Sequence, residues 1–175
     1  MIQKKIEGKS IYLIPITPKD TPYIVKWRNN PRVMHNFRFN EPFTKELHEK
    51  WMIEMVDSGR VVQYIIYIKD SDLPIGSVFF RDINSYESSA EFGIFIGENE
   101  ACGHGYGDEA TALFTAYGLS RLGFHKIYLR VFEDNTNAIK CYIRAGYSHM
   151  NDKGEDIICT DGGSRHMIHM FISTE

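Results

Sequence analysis

No run of about 20 consecutive apolar residues occurs in this 175-residue chain, so it offers no hydrophobic membrane-spanning helix and no membrane partner is expected. Positive charge is in short supply too: 20 Lys and Arg stand against 23 Asp and Glu, a formal net charge of −3. Without a basic excess, the phosphate neutralisation that drives nucleic-acid binding is missing, and nucleic acid is not expected as a partner. Only three cysteines are present, Cys102, Cys141 and Cys159, odd in number and widely spaced. Lys4 and Lys5 have no apolar stretch behind them, so a signal peptide is not expected. The cysteines then read as free thiols in a reducing, cytoplasmic compartment. No internal repeat, low-complexity tract or Pro/Gly/Ser linker divides the sequence. What is present is 43% hydrophobic and 13% aromatic residues, enough for one sizeable core. The length predicts a single domain over residues 1–175.

Periodicity supplies the elements. Ser10–Ile16 reads as a strand, Lys19–Trp27 as a helix stopped by Asn29-Asn30-Pro31, and Arg32–Phe43 as an aromatic loop. Thr44–Asp57 is expected to be helical, with Leu47, Trp51 and Met55 four apart. The period then changes: Val61–Lys69, Ile75–Arg81 and Ala90–Ile96 are β-branched and aromatic runs separated by turns, which predicts an antiparallel meander. Gly105–Leu122 is the strongest helix, with Ala110, Leu113, Phe114 and Tyr117 on one face and Gly123 as its cap. Lys126–Phe132 reads as a strand, Asn135–Ala145 as a helix closed by Gly146, and Arg165–Ser173 as a last strand. The expected class is α/β (α+β): a mixed, largely antiparallel sheet with helices on both faces.

Gly97–Gly107 follows a strand and opens a helix. Unpaired N–H groups and the positive end of a helix dipole make such a junction an anion site, and glycines let a phosphate approach closely. A glycine-rich turn without a ligand fits the same pattern. The P-loop needs Gly-Lys-Ser/Thr, which is absent. Gly105-Tyr106-Gly107-Asp108-Glu109-Ala110 matches G-x-G-x-x-G/A, but the signature belongs to repeated parallel βαβ units, and Glu133 lies too far on for the ribose-binding acid.

A longer series is more specific. It runs from Glu91-Phe92-Gly93-Ile94-Phe95-Ile96-Gly97 through Gly103-His104-Gly105-Tyr106-Gly107-Asp108-Glu109-Ala110 to Phe124–Val131. It ends with Asp134-Asn135-Thr136-Asn137-Ala138-Ile139-Lys140-Cys141-Tyr142 and Ala145-Gly146-Tyr147. In order and spacing it resembles the acetyl-CoA core of the GNAT N-acetyltransferase superfamily. Tyr12–Ile16 and Trp27-Arg28-Asn29-Asn30-Pro31 resemble the branch with ribosomal-protein N-terminal, polyamine and amino-sugar acetyltransferases. The resemblance implies acetyl-CoA as co-substrate, no metal, and a pyrophosphate held by Gly103, His104, Gly105, Tyr106, Gly107 and Asp108. It implies that the strand at Ile94, Phe95 and Ile96 splays from its neighbour to form a cleft for the pantetheine, and that Asn135 contacts the cofactor. Two positions depart from the pattern. Cys102 replaces an Arg or Gln, and Asp108 puts an acid in the first helical turn, which suits the dipole but repels a phosphate.

Acetyl transfer needs a neutral amine. At pH 7 that costs roughly 4.6 kcal/mol for an alkylamine and about 1.4 for an α-amino group, so a base matters most for a polyamine. The resemblance assigns Tyr142 as the hydroxyl that protonates or hydrogen-bonds the leaving thiolate; packing of the helix is the alternative. Glu91 is the candidate base, expected to have a raised pKa in a half-buried strand, with a salt-bridged residue as the alternative. Lys140 and Arg144 read as solvated cations. Trp27, Phe37, Phe39, Phe43, His48 and Trp51 are candidates for an acceptor pocket, Arg28 for holding an anionic group, and Glu41, Glu46, Glu49 and Glu54 for attracting a cation. His166 and His169 make no metal set. The acceptor is expected to be a small-molecule or peptide amine: an amino sugar first, then a protein N-terminus, then a polyamine. A homodimer is among the expected assemblies, and a non-catalytic acyl-CoA-binding regulatory module is the alternative function.

Overall fold

The computed structural model describes residues 4–38, 41–159 and 163–174. In chain order the elements are β1 (Ile6–Glu7), β2 (Ile11–Pro15), α1 (Thr21–Arg28), α2 (Pro31–Met34), α3 (Lys45–Trp51), β3 (Val62–Ile68), β4 (Pro74–Asn84) and β5 (Ser89–Ile96). They continue with α4 (Tyr106–Tyr117), β6 (Lys126–Phe132), α5 (Thr136–Arg144), β7 (Ser148–His149), β8 (Glu155–Ile158) and β9 (Ser164–Ser173). The strands lie in one sheet in the order β1-β2-β3-β4-β5-β6-β9-β7, with β8 pairing on β9. All neighbours are antiparallel except β5 and β6. No helix among the described residues is long and apolar enough to cross a membrane.

Strand alternation sends side chains to two faces, and each face has its own apolar filling. Tyr64, Val78, Phe80, Phe92, Ile127 and Leu129 pack under α4 and α5. There Phe80 stacks on Phe114 of α4 with ring centroids 4.4 Å apart. On the opposite face, Ile65 and Phe95 pack against Ile24 and Trp27 of α1 and Met52 after α3. The expected mixed sheet with helices on both faces is therefore present.

Several boundaries differ from expectation, each for a local reason. Arg32–Phe43 does not begin as a loop: α2 forms because the Asn30 side chain accepts from Arg32 N (3.1 Å) and Pro31 fits the first helical turn. The long helix ends at Tyr117 and widens into a π-type turn to Leu122, where Gly123 takes φ +75°. The meander's second strand extends to Asn84 through an irregularity after Arg81. The short strands β1, β7 and β8 were not expected, since two to four residues carry too little periodicity to register.

The Trp27–Pro31 segment docks α1 and α2 onto the end of β5. Trp27 is fully buried; its Nε1 donates to Glu98 Oε1 (2.7 Å), and its indole occupies the space where a Cβ on Gly97 would lie. Asn29 clamps Phe43 from both sides, donating to its carbonyl (2.7 Å) and accepting from its N–H (2.9 Å). Asn30 Nδ2 donates to the Gly97 carbonyl (3.1 Å). Glu109, in the first turn of α4, accepts from Ser10 N (2.8 Å) and so fixes that helix against the start of β2.

Candidate active site

The parallel ladder between β5 and β6 contains three register pairs, Ser89↔Lys126, Ala90↔Ile127 and Glu91↔Tyr128. Beyond Glu91 the strands part: β5 continues to Ile96 beside β4, and β6 continues to Phe132 beside β9. The inner edge of β5 at Ile94, Phe95 and Ile96 is left without a strand partner, a backbone edge on which an extended amide-bearing ligand can pair. The Phe95 side chain points away into the α1 face, edge-on to Phe37 at 5.7 Å. The Ile96 carbonyl accepts from Arg32 Nη2 (2.6 Å).

At the mouth of this gap stands the glycine loop. Gly103 and Gly105 have φ of +81° and +82°, a region other residues enter only at a cost. Those two turns lay out the backbone of Gly103, His104, Gly105, Tyr106, Gly107 and Asp108. None of these six N–H groups donates a hydrogen bond within the described residues. α4 begins here without a side-chain cap, so its positive dipole end is open as well. The donor set suits a pyrophosphate.

Asp108 does not act as a bare charge in that cradle. Arg144 of α5 grips it, with Nη2 2.8 Å from each carboxylate oxygen, and holds its pKa below the usual value. Arg144, expected to be solvated, is thus committed to the acid that was expected to repel a phosphate. Cys102 is exposed.

Tyr142 lies in the crotch of the splay. Its ring meets Phe92, the first residue beyond the ladder, edge-on at 6.1 Å, and lies 6.0 Å from Tyr147. The side chain is buried, and its hydroxyl makes no hydrogen bond among the described residues. Burial, with a smaller contribution from Cys141, pushes the phenol above its ordinary pKa. It therefore stays protonated at any working pH and acts as a donor. Asn135 caps α5, its Oδ1 accepting from Ala138 N (3.3 Å).

Glu91 differs from expectation. It is buried, but not alone: Arg81 Nη2 donates to one carboxylate oxygen (2.7 Å) and Arg130 Nη2 to the other (2.8 Å). Burial alone would raise its pKa; the two guanidiniums outweigh burial and lower it. The expected raised pKa is corrected, and a carboxylate so held is a poor proton acceptor. The cause is cross-strand: Arg81 faces Glu91 in the β4–β5 register, and Arg130 reaches over from β6.

The aromatic candidates divide. Trp27 belongs to the core, and Trp51 donates to Gln63 (3.0 Å). His48 is buried with Nδ1 2.9 Å from Thr21 Oγ1, and burial lowers its pKa. Phe39 lies outside the described residues. Phe37 and Phe43 flank Arg28, whose guanidinium carbon is 3.7 Å and 4.8 Å from their ring centres. Of the acids, Glu41, Glu46, Glu49 and Glu54 are exposed, and Glu49 and Glu54 pair with Lys45 and Lys50 one turn away. His166 pairs with Asp156 and His169 with Asp152. Among the described residues no cluster of three or more His, Cys, Asp or Glu forms a metal site. Sequence reasoning missed a cavity of about 660 Å³ beside Glu91, floored by Tyr128 and Arg130 and bounded by Glu155 and His169. Only the alternation along β6 hinted at it.

Comparison with known proteins places this geometry. The profile of the acetyltransferase (GNAT) domain matches residues 10–148. Spermidine N(1)-acetyltransferase of Escherichia coli K12 is 31% identical over 144 residues, covering 79% of this chain and 73% of that protein. An uncharacterized protein of Methanocaldococcus jannaschii is 29% identical over 148 residues, but the match spans 82% of this chain and only 29% of that protein. The fold is shared with spermidine N-acetyltransferase from Vibrio cholerae in complex with CoA and spermine: TM-score 0.85, 24% identity, 94% of this chain and 95% of that one.

Proposed function

The chain belongs to the GNAT acetyltransferase family, and from that premise we propose that it moves an acetyl group from acetyl-CoA to a primary amine by direct attack in a ternary complex. A single domain over residues 1–175 carries the whole site. The observation that supports this reading best is the row of unpartnered N–H groups from Gly103 to Asp108 beside the parted edge of β5. Those N–H groups hold the pyrophosphate, and the backbone at Ile94, Phe95 and Ile96 aligns the pantetheine. Asn135, at the start of α5, borders the cofactor. Acetyl-CoA supplies the activated thioester. Tyr142 donates a hydrogen bond to the departing sulfur, and its raised pKa favours donation over complete proton transfer.

The ranking of acceptors follows from the loss of Glu91 as a candidate base. With Glu91 held by two guanidiniums, that carboxylate supplies little help in deprotonating an alkylamine, whose neutral form costs roughly 4.6 kcal/mol at pH 7. An amine beside electron-withdrawing oxygens loses its proton more easily. We therefore place an amino sugar first and a protein N-terminus second. A polyamine is the alternative reading, supported by the spermidine acetyltransferase relative. A cytoplasmic setting fits three free thiols. A homodimer would show as a doubled mass in solution.

Thiol release from acetyl-CoA against a panel of amino sugars, peptides and polyamines tests the reading. Acceptor-dependent release is expected. Tight acetyl-CoA binding without release to any acceptor would move the chain to a binding module.

A further inference from the structure

We propose that Arg28 is the docking point for an anionic group, a phosphate or a carboxylate, carried by the acceptor. This rests on the acetyltransferase reading and narrows its substrate.

Arg28 is the one residue of Trp27-Arg28-Asn29-Asn30 that the fold does not use. Trp27 holds Glu98, Asn29 holds the backbone of Phe43, and Asn30 holds Gly97 and Arg32. Arg28 has neither an ion pair nor a hydrogen bond among the described residues, and its Nε is buried without a partner. A half-buried guanidinium without an acceptor is an unfavourable arrangement for stability alone, because its desolvation is offset only by ring contacts. Phe37 and Phe43 hold the group rigidly, one over each ring, and so fix its direction.

The position fits a substrate contact. Phe37 bridges Arg28 to Phe95, so one aromatic ring separates the guanidinium from the splayed strand. Its charged neighbour is Arg81, another cation, which is itself paired with Glu91 (2.7 Å) and lies 4.0 Å from Asp82. Burial first, and Arg81 second, push the Arg28 guanidinium down to about 10, which leaves it charged at neutral pH. Glu91 pairs with Arg81 and Arg130 and not with Arg28, so Arg28 is the cation of this corner without an acid among the described residues. The Arg28 guanidinium therefore has room for an oxyanion, for which a planar guanidinium fork is the preferred partner.

The full chain, with Arg28→Gln and Arg28→Lys variants, would be assayed on acceptor sets that differ in one charge. These are glucosamine, glucosamine 6-phosphate, the corresponding 2-amino-uronic acid, and spermidine. Wild type is expected to prefer one of the anionic sugars over glucosamine by tenfold or more in kcat/KM; which one identifies phosphate or carboxylate. Arg28→Gln should abolish that preference, lowering kcat/KM on the anionic sugar at least tenfold more than on glucosamine, and Arg28→Lys should restore part of it. A wild type that prefers spermidine or glucosamine, or an Arg28→Gln variant that loses all acceptors equally, overturns the proposal while leaving acetyl transfer standing. Should no acceptor turn over, the acetyltransferase reading fails, and calorimetry on CoA-saturated protein still decides the site. Glucosamine 6-phosphate or inorganic phosphate binding that Arg28→Gln weakens tenfold supports it; no Arg28-dependent binding of either overturns it.

Discussion

Replacing Glu91 with Gln separates an ion-pair anchor from a general base. Glu91 is 3% exposed and bridges β4 to β6 through Arg81 and Arg130. Removing one member of a buried ion pair costs about 3–5 kcal/mol. The Arg81 and Arg130 side chains are 36% and 27% exposed, so water recovers part of their solvation. A loss of about 2–3 kcal/mol is the better expectation. For a chain of this size that lowers Tm by about 5–10 °C at pH 7. The pH dependence has a fixed sign. The folded pKa of Glu91 lies below 4.5, so its contribution is complete above that value and is lost as pH falls through the folded pKa. The Tm gap between wild type and variant should therefore be flat at neutral pH and narrow in acid. Turnover should fall by the same factor across the pH range. A Tm within 2 °C of wild type (on the order of the scale above), together with a kcat/KM loss of about a hundredfold and a vanished acidic limb, would refute this account and restore Glu91 as the base.

Tyr142→Phe should fold normally, because the hydroxyl it removes makes no hydrogen bond among the described residues; kcat should fall about ten- to a hundredfold at saturating substrates. Near-normal turnover would remove Tyr142 from the sulfur. Gly105→Ala places a Cβ in open space but at φ +82°, so about 1–2 kcal/mol of stability should be lost and the KM for acetyl-CoA should rise. An unchanged KM would mean that this turn does not shape the cradle. Asp108→Asn frees Arg144 beside the cradle; the KM for acetyl-CoA should drop a few-fold at low salt and recover at high salt. A rise instead would show that the acid itself positions the cofactor.

What the sequence revealed and concealed divides along the range of the interaction. The glycine turns, the cap at Asn135 and the amphipathic α4 are local, and each leaves its residues at fixed spacing. The partners of Glu91 do not: Arg81 is 10 residues before it and Arg130 is 39 after it, joined only by strand register. A strand glutamate thus read as a half-buried base or a salt-bridged residue is buried and doubly paired. Asp108 and Arg144 are 36 residues apart and meet only because α5 packs beside α4. Charges read singly along a chain therefore mislead in opposite directions: an expected base is neutralised, and an expected repulsion is cancelled.

The same accounting locates the chemistry by what folding leaves unpaired. Backbone and side-chain polar groups that lose water ordinarily find partners inside the protein. Among the described residues three sets make no hydrogen bond: the N–H groups from Gly103 to Asp108 at a partly exposed turn, the Tyr142 hydroxyl, and the buried Arg28 Nε. The buried His48 Nε2 is also without a partner, but burial keeps that ring neutral, so its cost is smaller. The three sets differ in kind. A row of dipoles suits a diphosphate, a neutral donor suits a sulfur gaining charge, and a guanidinium between two rings suits an oxyanion. They line the splay in that order, from the mouth at α4, through the crotch at Phe92, to the α1 face beyond Phe95. A net charge of −3 hides this arrangement, because the donors proposed to hold the cofactor carry no formal charge and Arg28 has no paired acid among the described residues.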